Sequence, residues 1–186
     1  MPPPNLPVLL TMARGGDRSA FNVLITYYGP RVVRYVTAMG LPSELAEETA
    51  QEVFIDVWED RARLKTPGFF FKKATWRALN DRKKLRNRAG ILDDISRWLL
   101  DWGGKPATED TRTGIRLDLD GCLDGLEPDE RAVLLLCLLE GLTAREVADI
   151  LEITVAKVKH RLKDGRKKME DCLEFDKDRH DRGSEE

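Results

Sequence analysis

The side chains best placed for chemistry in this sequence are cations on one short stretch. Lys157, Lys159, His160, Arg161, Lys163, Arg166, Lys167 and Lys168 crowd one side of a helical repeat. Val155, Val158, Leu162, Gly165, Met169 and Cys172 or Leu173 recur on the other side, near helical period. Cations on the outer face of a helix hold phosphates, and side chains near its start reach base edges. Nucleophilic, acid–base or metal chemistry has no comparable set. His160 and His180 are the only histidines, one on this cationic face and one in a charged tail. Cys122, Cys137 and Cys172 are too few and too far apart for a disulfide framework or a standard zinc site. The sequence therefore predicts a protein that is not an enzyme and takes no cofactor or metal.

The elements that must present those cations lie between Leu126 and Leu173. Pro128 suits a first helical position, where its missing N–H costs nothing. Ala132 to Leu139 is apolar on every side, which predicts a buried central helix. Gly141 ends it through a left-handed cap. Thr143-Ala144-Arg145-Glu146 is a capping box, and Val147, Ala148, Ile150 and Leu151 form the inward face of the helix it starts. Glu152-Ile153-Thr154 is a tight turn with Thr154 as N-cap. A buried helix, a capped short helix, a turn and a basic helix have the geometry of a helix-turn-helix that reads the major groove. Gly165 faces inward, where it implies close packing. The plainer alternative is a three-helix bundle whose basic face is only solvated.

Charge is segregated although the net charge is −2. Glu44, Glu47, Glu48, Glu52, Asp56, Glu59 and Asp60 form a block without Lys or Arg. Arg61 to Arg88 then carries eleven cations against the single acid Asp81. It is the local patch that attracts phosphate. Cys137 lies in the all-apolar helix, where a buried thiol is expected, and a reduced cytosolic compartment follows. The first positive charge is Arg14, so no basic signal-peptide region is visible, and no apolar run approaches spanning length.

Met1 to Pro7 holds four prolines and is expected to be disordered, with a short helix from Val8 to Arg14. Asp17 can cap the next helix. Its apolar stripe runs from Phe21 through Leu24, Ile25, Tyr28, Val32, Tyr35 and Val36 to Met39, and Pro30 kinks or splits it. Ser43 is an N-cap candidate for a helix with core face Leu45, Ala46, Ala50, Val53, Phe54 and Val57 and outer face Glu47, Glu48, Gln51, Glu52 and Ile55. Charge alone makes that outer face solvated rather than a docking surface. Phe70, Ala74, Arg77 or Ala78, and Leu79 share an inward stripe, leaving Phe69, Lys73 and Trp76 partly free. Aromatics interleaved with cations suit single-stranded DNA, where cations hold the backbone and rings stack on bases. Arg88 to Gly90 ends this unit. Ile91 to Trp102 is a short amphipathic piece and the polar run to Gly114 a linker. The chain reads all-α: an extension (1–16), a helical unit (17–90), a link (91–114), a helix-turn-helix unit (115–173) and an acidic tail (174–186).

With both units in view, the stretch from about Leu9 to Leu173 resembles a bacterial RNA polymerase sigma factor of the extracytoplasmic-function group. AFNVLITYYGPRVVRYV looks like that family's opening helix, Pro30 included. AEETAQEVFIDVW is similar to the segment that docks on the polymerase clamp, and LEPDERAVLLLCLLEGLTAREVADILEITVAKVKHRL is close to the family pattern throughout. The resemblance makes 17–90 region-two-like and 115–173 region-four-like. It implies that Glu47, Glu48, Gln51, Glu52, Phe54 and Ile55 bind polymerase at the beta-prime clamp, with the beta flap as a second contact. It implies minus-ten DNA at Arg63, Lys65, Thr66, Phe69, Lys72, Lys73, Trp76, Arg77, Asn80, Lys83 and Lys84. Minus-thirty-five duplex would meet Lys157, His160 and Arg161 at base edges, with Arg145, Ala156, Lys159, Lys163 and Arg166 alongside. It also implies a cytoplasmic protein, promoter DNA and core polymerase as partners, an anti-sigma factor as a further one, and no membrane insertion.

One segment departs from the family. Its Ile-Ala-x-Asn-x-x-x-Asp pattern, aligned on Ala74, puts Lys73, Trp76 and Asn80 where Ile, Asn and Asp are usual. Two other functions share many of the same residues. A free-standing helix-turn-helix regulator would bind duplex as a dimer and need neither the acidic helix nor the aromatic-basic segment. A sigma-like decoy would bind polymerase without opening promoters.

Overall fold

The computed structural model describes the backbone of residues 3–101 and 116–183, and the side chains of residues 3–87, 119 and 121–173. The expected linker beyond Asp101 lies outside the described residues. Those described form helices and no strand. They are α1 (Leu6–Arg14), α2 (Arg18–Ala38), α3 (Ser43–Glu59), a 3-10 turn (Arg61–Arg63) and α4 (Gly68–Asp101). After the break come α5 (Arg116–Asp124), α6 (Pro128–Leu138), α7 (Ala144–Leu151) and α8 (Val155–Gly183).

The first unit forms around the three phenylalanines at the start of α4. Phe70 is fully buried and stacks on Tyr28 with ring centroids 5.2 Å apart, while Phe54 and Phe21 close in at 5.4 and 6.3 Å. Tyr35 is buried and shares a 2.8 Å hydrogen bond with Thr75, which also donates to the Phe71 carbonyl. Burial pushes the Tyr35 phenol far above its ordinary range, so it stays neutral. Asp17 caps α2 by accepting from the Ala20 amide. Pro30 does not split α2. Leu24 and Tyr28 before it, and Val32, Tyr35 and Val36 after it, enter one core, and that shared burial keeps the helix continuous.

Several boundaries differ from the sequence expectation. Ser43 is the first residue of α3 and not its cap, a position Pro42 takes without a side-chain bond. The extension is helical from Leu6, with Pro7 tolerated in the first turn. Phe69 is buried rather than partly free. α4 does not stop at Arg88 to Gly90, because one glycine costs a long helix only about 1 kcal/mol. The Ile91 to Asp101 backbone continues it, and α8 carries the backbone of the acidic tail to Gly183.

The second unit follows the helix-turn-helix expectation closely. Ala132 to Leu136 are buried in α6, and Gly141 takes the left-handed conformation at φ 68°. Thr143 and Glu146 form both halves of the capping box, with Glu146 accepting from the Thr143 amide at 2.8 Å. Thr154 caps α8 by accepting from the Lys157 amide. Gly165 is buried against α6, where a Cβ would meet Leu134 Cδ1 at 3.2 Å. Two inward assignments fail at the ends of helices: Leu138 and Val155 are exposed. The cysteines depart most. Cys122 and Cys172 are joined by a disulfide across α5 and α8, because the crossing brings their Cα atoms to 5.7 Å despite 50 residues of chain between them. Cys137 is free and only partly buried.

The two units pack on each other. α7 lies against the start of α4, with Ile150 filling the space where a Cβ on Gly68 would sit. Arg131 is buried and donates to the Ala38 carbonyl at 2.6 Å and to Asp124 at 2.6 Å. Glu140, at the end of α6, accepts from Arg31 and Arg34 of α2.

Candidate nucleic-acid and polymerase interface

The outer face of α8 is set by its inner one. Val158, Gly165 and Met169 are buried, and 3.6-residue periodicity turns Lys157, Lys159, His160, Lys163, Arg166 and Lys167 to solvent. Ala156 is exposed beside Lys157, and Arg145 is exposed on α7, the helix the capping box starts. His160 is paired locally, with Nδ1 2.7 Å from the Asp164 carboxylate. Two cations of the row turn back towards α6: Arg161 donates to Asp129 at 2.5 Å and Lys168 to Glu130 at 2.7 Å. Burial acts to raise the Glu130 carboxyl, but hydrogen bonds from Lys168 and the Glu127 amide outweigh it and hold it below its ordinary range. Arg161 is therefore placed against Asp129 in this arrangement, while the remaining cations are displayed outward.

α3 sorts its residues in the same way. Ala46, Ala50, Val53 and Val57 are buried, which leaves Glu47, Glu48, Gln51 and Ile55 exposed in a row. Ile55 is a large apolar side chain at 58% exposure among acids, a composition suited to contact as well as solvation. Phe54 is buried against Phe70 and lies in the core rather than in the exposed row. Glu52 is half-buried and pairs with Arg77, which also makes a two-pronged pair with Asp56 at 2.6 and 2.8 Å. That fork holds the Asp56 carboxyl below the usual carboxylate range.

The basic segment is split between paired and free groups. Arg77 is committed to α3, and Lys73 pairs with Asp60 while its ammonium lies 5.6 Å from the Phe69 ring centre. Lys72 pairs with Glu152 at the turn of the helix-turn-helix. Arg63, Lys65, Thr66 and Lys83 are exposed, Asn80 is half-exposed, and Lys84 leans on Asp81. Trp76 is 62% exposed. A cavity of about 850 Å³ opens between the loop at Arg63 to Phe69 and α7, with Tyr28, Arg31 and Phe71 on one wall and Glu146, Asp149 and Ile150 on the other. Burial pushes the Tyr28 phenol up to about 12, against the opposing pull of Arg31.

Sequence reading did not anticipate Arg31, Arg34, Arg131 and Glu140. Their only signal was a buried acid closing an apolar helix and two cations three residues apart on α2, and neither points to the other across the chain. Among the described residues no cluster of ligands could hold a metal, and no helix is long and apolar enough to cross a membrane.

Residues 116–169 match the family model of sigma-70 region 4. Over 168 residues the chain is 29% identical to the ECF RNA polymerase sigma factor SigE of Mycolicibacterium smegmatis, covering 85% of this chain and 64% of that protein, so it spans slightly less than two thirds of this relative. It is 26% identical over 176 residues to the ECF sigma factor SigK of Mycolicibacterium vanbaalenii, covering 90% and 89% of the two chains. CarQ of Myxococcus xanthus, an RNA polymerase sigma factor, is 27% identical over 161 residues, covering 86% and 92%. In fold the chain is similar to CnrH solved with the cytosolic domain of CnrY, at TM-score 0.68, 20% identity and 91% and 97% coverage. It is also similar to the sigma factor RpoE of Bartonella quintana solved with the anti-sigma factor NepR, at TM-score 0.60, 18% identity and 84% and 98% coverage. The region 4 match lies on the helix-turn-helix, and the likeness to extracytoplasmic-function RNA polymerase sigma factors runs through both units.

Proposed function

We propose that this protein binds core RNA polymerase and directs it to promoters, contributing recognition and strand opening but no catalysis of its own. The observation that carries this reading is the outward cation row of α8 on a capped helix-turn-helix, combined on one chain with an exposed acidic row on α3. A helix-turn-helix without a polymerase-docking surface would suit a free-standing regulator. Exposed Glu47, Glu48, Gln51 and Ile55 supply such a surface, in the segment most similar to the clamp-docking helix of the family.

In this reading the unit at 115–173 holds the minus-thirty-five element as duplex. Lys157 and His160 face base edges, while Lys159, Lys163, Arg166 and Arg145 take phosphates. Phosphate contacts give affinity and register, and base contacts give sequence preference. The unit at 17–90 docks on the beta-prime clamp through α3 and receives the minus-ten strand along Arg63, Lys65, Thr66 and the outer face of α4. Arg77, committed to Glu52 and Asp56, serves by fixing α4 on α3. An anti-sigma factor is a further partner, a reading supported by the fold shared with RpoE, which was solved with one.

The departures at Lys73, Trp76 and Asn80 favour one competing reading, a decoy that binds polymerase without opening promoters. Run-off transcription with core RNA polymerase on a genomic promoter library separates the two. The expected result is new start sites that share two spaced upstream motifs. Tight binding to core polymerase without new transcripts would establish the decoy, and salt-sensitive duplex binding without polymerase binding would establish a free-standing regulator.

A further inference from the structure

Among the described residues of α4, Trp76 is a large side chain that the core leaves exposed. Phe70, Phe71, Ala74, Thr75 and Ala78 are buried, which puts Trp76 on the crest opposite them. Trp76 is 62% exposed, and no aromatic ring among the described residues lies against it. An indole left in water at a helix crest gives up the burial that normally retains it. Its surroundings are cationic or neutral. Lys72 and Lys73 stand one turn before it, Asn80 one turn after, and Lys83 and Lys84 beyond, with no acid on α4 between Gly68 and Asn80. On neighbouring α3, Glu52 and Asp56 are paired with Arg77, the residue next to Trp76.

We infer that Trp76 is a specificity-determining residue, a platform on which one unpaired base of the opened strand stacks, and that it makes the protein tolerant of base identity there. This rests on the proposed promoter-opening function. Asn, the residue usual in the family at this position, offers an amide donor and acceptor that discriminate between base edges. An indole has one N–H and a large π face, and every base has a π face to lay on it. Asn80 in place of an acid adds no negative charge one turn on, and Lys83 follows it, so a phosphate following the stacked base meets no repulsion from that position. The ridge thus combines a ring with flanking cations, the arrangement that holds single strands with little sequence preference.

The test uses core polymerase with the full-length protein on a promoter recovered by run-off transcription. Strand opening is followed by 2-aminopurine placed in turn at each non-template position of the minus-ten element. Trp76→Ala should lower open-complex formation by about tenfold to a hundredfold, the worth of one base–aromatic stack. Its binding to core polymerase and to minus-thirty-five duplex should stay at wild-type strength. Trp76→Phe should retain most opening. Trp76→Asn should open the promoter with a sharper preference at the position whose fluorescence the Ala variant alters, where the wild type accepts all four bases about equally.

If wild type itself yields no transcripts, the promoter-opening function fails and this inference with it. If wild type initiates and Trp76→Ala opens promoters equally well, the stacking role alone is overturned. Loss of polymerase binding in Trp76→Ala, with residual opening at saturating protein, would also overturn it and make Trp76 a protein contact.

Discussion

Arg31 and Glu140 stand 109 positions apart in sequence and meet at 2.7 Å, joining the first helical unit to the helix-turn-helix. The Glu140 side chain is fully buried, with Arg34 on its second oxygen at 3.3 Å. The Arg31 guanidinium also lies 5.5 to 5.8 Å from the ring centres of Tyr28, Tyr27 and Phe71. A buried carboxylate is costly unless both oxygens are satisfied, so this group favours the packed arrangement only while the two arginines face it.

Glu140→Ala should therefore loosen the packing of the two units without unfolding either. The expected loss is about 2 kcal/mol, the worth of a charge-assisted hydrogen-bonded group. Small-angle scattering should report a larger radius of gyration, while the helical circular dichroism stays near wild type. An unchanged radius would mean that Arg131 and the contact of Ile150 with Gly68 hold the units together unaided.

Acid should weaken the clamp of α4 on α3. The Arg77 hydrogen bonds hold the Asp56 carboxyl below its ordinary value. A carboxylate depressed in the folded state contributes stability that is fully present above its unfolded pKa, about 3.9, and is lost as pH falls through the folded value. Melting temperature should thus fall steeply below about pH 4 in the wild type. In Asp56→Asn the same limb should be shallower, with a lower plateau at neutral pH. Parallel acid limbs would show that Asp56 is not the group concerned.

Much of the second unit was legible because its signals are local. Thr143 with Glu146, Thr154 and Gly141 each act within a few residues of themselves, and each took the place its type dictates. The exposure of Leu138 and Val155 was not legible, since whether a helix end is covered depends on what packs beyond it. The partners of Lys72, Arg77 and Arg161 were hidden for a related reason. A cation reads as a candidate phosphate ligand until the fold brings an acid such as Glu152, Asp56 or Asp129 to it. The Cys122 to Cys172 bond depends on α5 crossing α8, which spacing in the sequence does not encode.

That bond has a measurable consequence. Closing a loop of this length stabilises a fold by about 4 kcal/mol in the chain-entropy account. Dithiothreitol, or Cys172→Ser, should lower the melting temperature of the helix-turn-helix unit and leave the first unit's transition in place. In denaturant without reductant only the thiol of Cys137 should titrate, and all three cysteines should after reduction. Three reactive thiols before reduction would show that the two cysteines are not bonded in the isolated protein.

The cation row of α8 should be readable in salt. Each phosphate contact on B-DNA contributes about 0.9 to the slope of log affinity against log salt concentration. Lys159→Ala, Lys163→Ala and Arg166→Ala, all displayed outward, should each weaken binding of minus-thirty-five duplex and reduce that slope by nearly one. Arg161→Ala should change it less, because its guanidinium already faces Asp129, although the loss of that pair should lower the stability of the unit. Asp129→Asn provides the converse. It frees Arg161, and the slope should steepen if the side chain swings to a phosphate. Equal slopes for Arg161→Ala and Lys163→Ala would mean that DNA draws Arg161 away from Asp129 in the wild type.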